Sequence, residues 1–319
     1  MEERMKKSLF TTAATVTALA FSTLAGPAMA EGERYVFISH APDSDSWWNT
    51  IKTSLGIAEE ELGVTVEYRN PPTGDIADMA RIVEQASASG PDGIILSIAD
   101  FDALSGPVMN AVDQGIPVIT VNSGSHEQSA AMGALMHIGQ PEYDAGHAAG
   151  TKAAAAGVES FLCVNHYITN GASVERCQGF ADAIGADLGN QMIDSGQDPG
   201  EIKNKVLAYL SANPETDAIL TLGPTSAGPT IEAVKENGLA GDIYFGTFDL
   251  SSEISAGIKE DIVLWAIDQQ PFFQGYLAVV LMANYNRYGL RVPHNINSGP
   301  GFVTKDTIDA VASMAGVYR

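Results

Sequence analysis

The chain has 319 residues, with Lys+Arg 17 against Asp+Glu 39 and a formal net charge of −22. That balance argues against nucleic acid and against anionic lipid surfaces as partners, because both select clustered positive charge; an acidic, solvated surface suited to saline surroundings is the simpler reading. Length and an apolar content of 45% are enough for two domains with sizeable cores.

Lys6 and Lys7 precede an apolar, Ala- and Thr-rich run from Leu9 to Leu24, and Ala28-Met29-Ala30 supplies a small-x-small cleavage pattern. Residues 1–30 therefore read as a secretory signal peptide. The run is short and Thr-diluted for a membrane anchor, and no Cys stands at the cleavage site to carry a lipid. A soluble mature chain is expected from Glu31. Its two cysteines, Cys163 and Cys177, could pair in an oxidising compartment and steady a short local loop, or stay free, since spacing alone does not supply disulfide geometry.

From Arg34 the pattern is regular. Strands are predicted at Tyr35–Ser39, Val64–Arg69, Gly93–Ile98 and Val118–Val121. Between them, Trp47, Ile51, Leu55, Ala58 and Leu62 recur at a helical period, with Ser46 or Asp45 as the cap, and Ile76–Ala86 and Leu104–Val112 do likewise. The unit then repeats, with strands at Ser160–Val164, Met192–Ser195, Ala218–Leu222, Ile243–Thr247 and Val263–Ile267, and helices from near Gly171, Pro199, Ser226 and Ser251. Pro199 suits a first helical turn, and Asn213-Pro214 ends that helix. A long apolar helix over Phe272–Tyr288, a Gly/Pro break at Asn297–Gly301 and a last helix from Thr304 complete the chain. Alternating strand and helix implies parallel sheets covered on both faces.

Two apolar runs end abruptly in polar groups, Tyr244–Phe248 in Asp249 and Val263–Ile267 in Asp268-Gln269-Gln270. Strand carboxyl ends face the ligand crevice of an open parallel sheet, so a carboxylate and an amide delivered there can hold hydroxyl groups. Pro271 stops the second strand, because it has no N–H and biases its predecessor toward extended geometry. Gln270 is thus expected at a hinge. Crossings at His137–Pro141, near Gln270 and at Asn297–Gly301 divide the chain into one lobe of residues 31–138 plus 270–298 and another of 139–269 plus 299–319. The expected fold is α/β, two Rossmann-like lobes, each a parallel sheet flanked by helices, joined by a three-crossing hinge.

Asp45-Ser46-Trp47-Trp48 at a helix start, Gly-Ile-Pro-Val-Ile-Thr-Val at 115–121, Glu175-Arg176-Cys177 leading into Gly179-Phe180, Phe248-Asp249 and Ile267-Asp268-Gln269-Gln270-Pro271 together resemble the periplasmic sugar-binding proteins of ABC importers, ribose/galactose type. The resemblance covers essentially the whole mature chain and implies a type I periplasmic binding protein that closes its lobes on a small ligand. By that resemblance Trp47 and Trp48 match the aromatic pair that stacks on a sugar ring, with Trp48 expected to touch ligand and Trp47 to be shared between core and pocket. The physics agrees, because the C–H face of a sugar is apolar and a flat side chain covers it at low entropy cost. Asp249 and Gln269 match the hydroxyl-binding pair, and Arg176 one arginine of the second-lobe helix, though a salt bridge would equally occupy it.

Elsewhere the chain departs from the ribose-binding pattern. Asn122-Ser123 replaces an Asp-Arg pair, Val174 replaces another arginine, and Gly223-Pro224-Thr225-Ser226 stands where an amide and an acid are usual. Ribose itself is not the expected ligand. Asn165, His166 and Asn170 follow a second-lobe strand and could supply the missing donors, so the expected ligand-binding set is Asp45, Trp47, Trp48, Asn122, Asn165, His166, Arg176, Thr225, Asp249 and Gln269.

Other classes fit less well. His40-Ala41-Pro42-Asp43-Ser44-Asp45 lacks the Gly-rich turn of a dinucleotide site, no Gly-x-Ser-x-Gly elbow falls at a strand-to-helix turn, and the histidines show no paired metal-ligand spacing with cysteine. No enzyme, cofactor or metal is expected. The expected protein is a monomeric periplasmic capture protein for a neutral sugar or polyol, with an inner-membrane ABC permease as partner. A cyclic furanosyl autoinducer is the alternative ligand, and docking to a chemoreceptor the alternative role.

Overall fold

In a computed structural model of the protein, which describes residues 32–319, the apolar runs form two six-stranded sheets. The proposed signal segment lies outside the described residues. The first lobe runs β1 (Arg34–Ile38), α1 (Trp48–Leu62), β2 (Thr65–Arg69), α2 (Ile76–Ala88), β3 (Gly93–Ser97), α3 (Phe101–Asp113), β4 (Val118–Val121), α4 (His126–Ala131) and β5 (His137–Gly139). The second runs α5 (Glu142–Ala155), β6 (Phe161–Asn165), α6 (Gly171–Ile184), β7 (Met192–Asp194), α7 (Pro199–Ala212), β8 (Ala218–Thr221), α8 (Pro224–Glu236), β9 (Tyr244–Phe248), α9 (Ser252–Lys259) and β10 (Trp265–Asp268). Then α10 (Pro271–Tyr288) and β11 (Ile296–Asn297) return to the first lobe, and β12 (Gly301–Thr304) and α11 (Ile308–Val311) to the second.

The sheet orders are β11-β5-β4-β3-β1-β2 and β12-β10-β9-β8-β6-β7. All pairings are parallel except β12 on β10. Period-two alternation distributes each strand between two cores. Tyr35 and Phe37 pack under α1 and α10 with Ile51, Leu55 and Met282, while Val36 and Ile38 pack under α2 and α3 with Met79, Val83 and Leu104. In the second lobe Leu162 and Val164 face Ile202 and Ile231, and Phe161 and Cys163 face Cys177 and Phe180. Cys163 on β6 and Cys177 on α6 are joined by a disulfide.

Three local expectations change. The last helix does not start at Thr304; residues 301–304 form a strand antiparallel to β10, because the otherwise open edge of β10 offers unpaired backbone groups that outweigh local helix preference. The N-cap of α1 is Trp47, with no side-chain cap; Asp45 instead accepts the Trp47 N–H at 3.1 Å. Helix α5 was not anticipated, since its Ala- and Gly-rich sequence carries little amphipathic signal. It is held by close approach to α6, where a Cβ on Gly146 would collide with the Arg176 carbonyl and one on Gly179 with the Tyr143 carbonyl.

Candidate functional site

The carboxyl ends of the strands of both sheets converge on one cleft of about 430 Å³, partly continuous with solvent. His40 follows β1 and Asn122 follows β4; from the other lobe come His166 after β6, Leu222 and Gly223 after β8, Asp249 after β9, and Gln269 after β10. Asn122 and Asp249 have positive φ (61° and 64°), as does Gln270 at the crossing (55°). Left-handed backbone is uncommon for residues with a Cβ, and here it turns the chain sharply just past the sheet. Pro271 then occupies the first turn of α10, where its missing N–H is of no consequence.

Aromatic surface and acid side chains share the first-lobe wall. Trp48 is 2% exposed and belongs to the core, edge-on to Phe37 and to His40 at 5.3 Å. Trp47 lies 5.0 Å from it, also edge-on, and is only partly buried. Both line the cleft; Trp48 is the more deeply held in the core, and Trp47 presents the freer face. Its Nε1 is buried without a hydrogen-bond partner, although it lies near enough to Asp249 to favour the carboxylate. Burial pushes the Asp45 carboxyl up to about 6 against the Trp47 N–H and Lys52.

Asp249 is the hub of the second-lobe wall. Its two oxygens accept from Gln269 Nε2 at 2.9 and 3.1 Å. Burial pushes its carboxyl up to about 7, while Arg176, Gln269 and Trp47 pull the other way. Gln269 Oε1 in turn accepts from Asn122 Nδ2 at 3.1 Å, so polar groups of the two lobes meet in the cleft. A second bridge forms where Asn170, the N-cap of α6, donates to Ser123 Oγ at 3.0 Å and faces His40 Nε2 at 3.3 Å. His40 Nδ1 is 2.9 Å from Ser97 Oγ. Burial first, then Arg176, depresses His40 to about 4 and His166 to about 3; both are neutral imidazoles near neutral pH.

Arg176 lines the same cleft but is already engaged. It donates bidentately to Glu142 at 2.7 and 2.8 Å and to the Leu222 carbonyl at 3.0 Å, and its guanidinium sits 4.5 Å over Phe248. The cleft thus offers hydroxyl-binding acceptors and donors beside aromatic faces, with its cation neutralised.

A family model described as periplasmic binding protein domain matches residues 35–288. The chain belongs to the periplasmic binding protein family. A carbohydrate transporter from Acidothermus cellulolyticus 11B, solved in complex with myo-inositol, has a TM-score of 0.82 and 32% identity, with 89% of this chain and 98% of that one covered. A periplasmic sugar-binding protein of an ABC sugar transporter from Legionella pneumophila has a TM-score of 0.76 and 26% identity over 84% of this chain and 99% of its own. Xylose/arabinose-binding protein XylF of Sulfolobus acidocaldarius is 24% identical over 291 residues, 86% of this chain and 72% of its own. As a family member of the type I architecture, the chain is a solute-binding protein and not an enzyme.

Within this member of the family, Asp45, Trp47, Trp48, Asn122, His166, Arg176, Thr225, Asp249 and Gln269 all line the cleft. Asn165 does not. As the last residue of β6 it points away, accepting the Tyr167 N–H at 2.8 Å and reaching Met192 Sδ at 3.5 Å; its neighbour His166, just past the strand, lines the cleft. His40 and Tyr167 line the cleft without having been singled out as binding residues. His40 carried a usable signal, its place just past the end of β1, which is the rule that identifies Asp249 and Gln269.

Proposed function

We propose that this protein captures a neutral, hydroxyl-rich ring, a cyclic polyol or a monosaccharide, between its lobes and delivers it in the periplasm to the permease of an ABC importer. The observation that carries the reading is the cleft's charge and shape: the carboxyls of Asp249 and Asp45 and the side-chain oxygen of Asn122 accept, the Gln269 amide nitrogen donates, and Trp47, Trp48 and Tyr167 supply flat apolar surface. Among the described residues lining it, Arg176 is the one basic side chain apart from the neutral histidines, and Glu142 already holds it. An anionic ligand would therefore lack the free cation that phosphate or carboxylate recognition uses. Likeness to the Acidothermus protein solved with myo-inositol favours a cyclitol, and the relative named for xylose and arabinose supports pentoses as the competing ring.

The test is calorimetry of the purified protein with myo-inositol, D-xylose, L-arabinose, D-galactose and D-ribose, beside glucose 6-phosphate and gluconate. Thermal melts are read in parallel, since a ligand of the folded state raises the melting temperature by mass action. At least one neutral ring should bind far more tightly than either anion. Preference for an anion, or no binding by any neutral member, would overturn the reading.

A further inference from the structure

Gln274 is fully buried, in the first turns of α10, and does not line the cleft. We propose that it is a positioning residue: it decides which end of the Gln269 and Asn122 amides faces the ligand site. The two ends of a carboxamide have nearly the same shape, so orientation is set by what each end bonds to. Here the chain of bonds has a root that cannot turn over. Gln274 Nε2 donates to the backbone carbonyl of Gln269 at 3.2 Å and to Ser298 Oγ at 3.0 Å. A carbonyl only accepts, which fixes the Gln274 nitrogen on that side.

The next two amides follow from it. The Gln274 N–H that meets the Gln269 carbonyl is shared with Gln269 Oε1 at 3.1 Å, so Gln269 turns its oxygen inward and its Nε2 out toward both oxygens of Asp249. Gln274 Oε1 accepts from Asn122 Nδ2 at 3.2 Å, which leaves Asn122 Oδ1 to accept from Ser123 Oγ at 3.1 Å. Ser123 in turn receives Asn170 from the opposite lobe. Reversing Gln269 would set its oxygen against the Asp249 carboxylate and lose its bonds from Gln274 and Asn122. Ser298, whose N–H bonds to the Gly139 carbonyl, lies in the last crossing. Gln274 therefore ties the polarity of the cleft to the chain segments that join the lobes.

Gln274→Met keeps the volume and removes both ends of the amide. The binding arm rests on the function proposed above and uses myo-inositol: the Kd should rise about 10- to 100-fold, as stranding a buried amide group implies. In a Gln269→Ala background the same substitution should raise the Kd by clearly less than it does in the wild type, the remainder running through Asn122; a merely structural role would make the two losses add. The second arm needs no ligand. The side-chain amide resonances of Gln269, assigned by their loss in Gln269→Ala, should follow the ionisation of Asp249 in the wild type and stop following it in Gln274→Met. Ser298→Ala, which removes the anchor outside the cleft, should move both readouts the same way by less, and it decides the matter if Gln274→Met does not fold. Failure of the wild type to bind myo-inositol would count against the ligand, leaving the resonance arm to judge Gln274. Additive losses, or an unchanged Gln269 pH profile in a folded variant, would overturn the proposal.

Discussion

Replacing Asp249 by asparagine should pull binding and stability in opposite directions. The carboxylate is 4% exposed, and burial lifts its folded value to about 7 from an ordinary 3.8. The folded state therefore holds this proton more tightly than the unfolded chain. Its contribution to stability is intact below pH ~3.8 and is lost as pH rises through about 7. At ~1.4 kcal/mol per unit, a rise of about three units makes the loss on the order of 4 kcal/mol above pH 7. Asn keeps the shape, and its Oδ1 can still accept from Gln269, so Asp249→Asn without ligand should melt several degrees above wild type at pH 8. The gap should narrow as pH falls toward 4. Binding should move the other way, because an N–H now faces a ligand hydroxyl where a lone pair did; about 2 kcal/mol, or ~30-fold in Kd, is expected. Calorimetry at pH 8 with the tightest neutral ligand, beside melts from pH 4 to 8, reads both. A variant that binds within threefold of wild type, or melts below it at pH 8, would refute the reasoning.

Trp47→Ala should weaken ligand binding with a modest loss of stability, whereas Trp48→Ala, at a core position between Phe37 and His40, should lower stability by about 3–5 kcal/mol; paired calorimetry and melts distinguish them. Burial holds His40 and His137 down to about 4 and His166 to about 3. Their neutral forms support the fold above pH ~6.5, and that support is lost as pH falls toward 4, so wild-type melts should drop across that interval and His166→Gln should flatten the drop. Arg176→Ala strips the partner from Glu142, whose side chain is 1% exposed, and should cost about 3–5 kcal/mol in urea unfolding. Cys163→Ala with Cys177→Ala removes a bridge of sequence separation 14 and should cost about 3 kcal/mol, with reductant destabilising the wild type but not the variant.

Much of the site could be read directly because it obeys one topological rule. Asp249 and Gln269 end apolar runs that can only be buried parallel strands, and such strands deliver their carboxyl ends to a crevice. The rule places the crevice only to within a residue: Asn165, the last residue of β6, is turned into the protein, and His166 just beyond it lines the cleft. Arg176 shows a different limit. Its partner Glu142 is 34 residues away, in a helix with too little amphipathic pattern to announce itself, so nothing local distinguished a ligand-facing arginine from a neutralised one.

Alternation of apolar runs with helical periods, the proline after Gln270 and the acids and amides at strand ends determined two mainly parallel sheets, a change of chain direction at Gln270 and a polar cleft. These are short-range signals, carried by residues close in the chain. Tertiary structure alone decided that Trp47 rather than Trp48 has the freer face, that residues 301–304 complete a sheet edge, and that Gln274 orients the amides of Gln269 and Asn122. Each of these depends on which atoms meet from segments as far apart as Asn122 and Gln274, and hydrogen-bond polarity between distant groups leaves no periodic trace in the sequence.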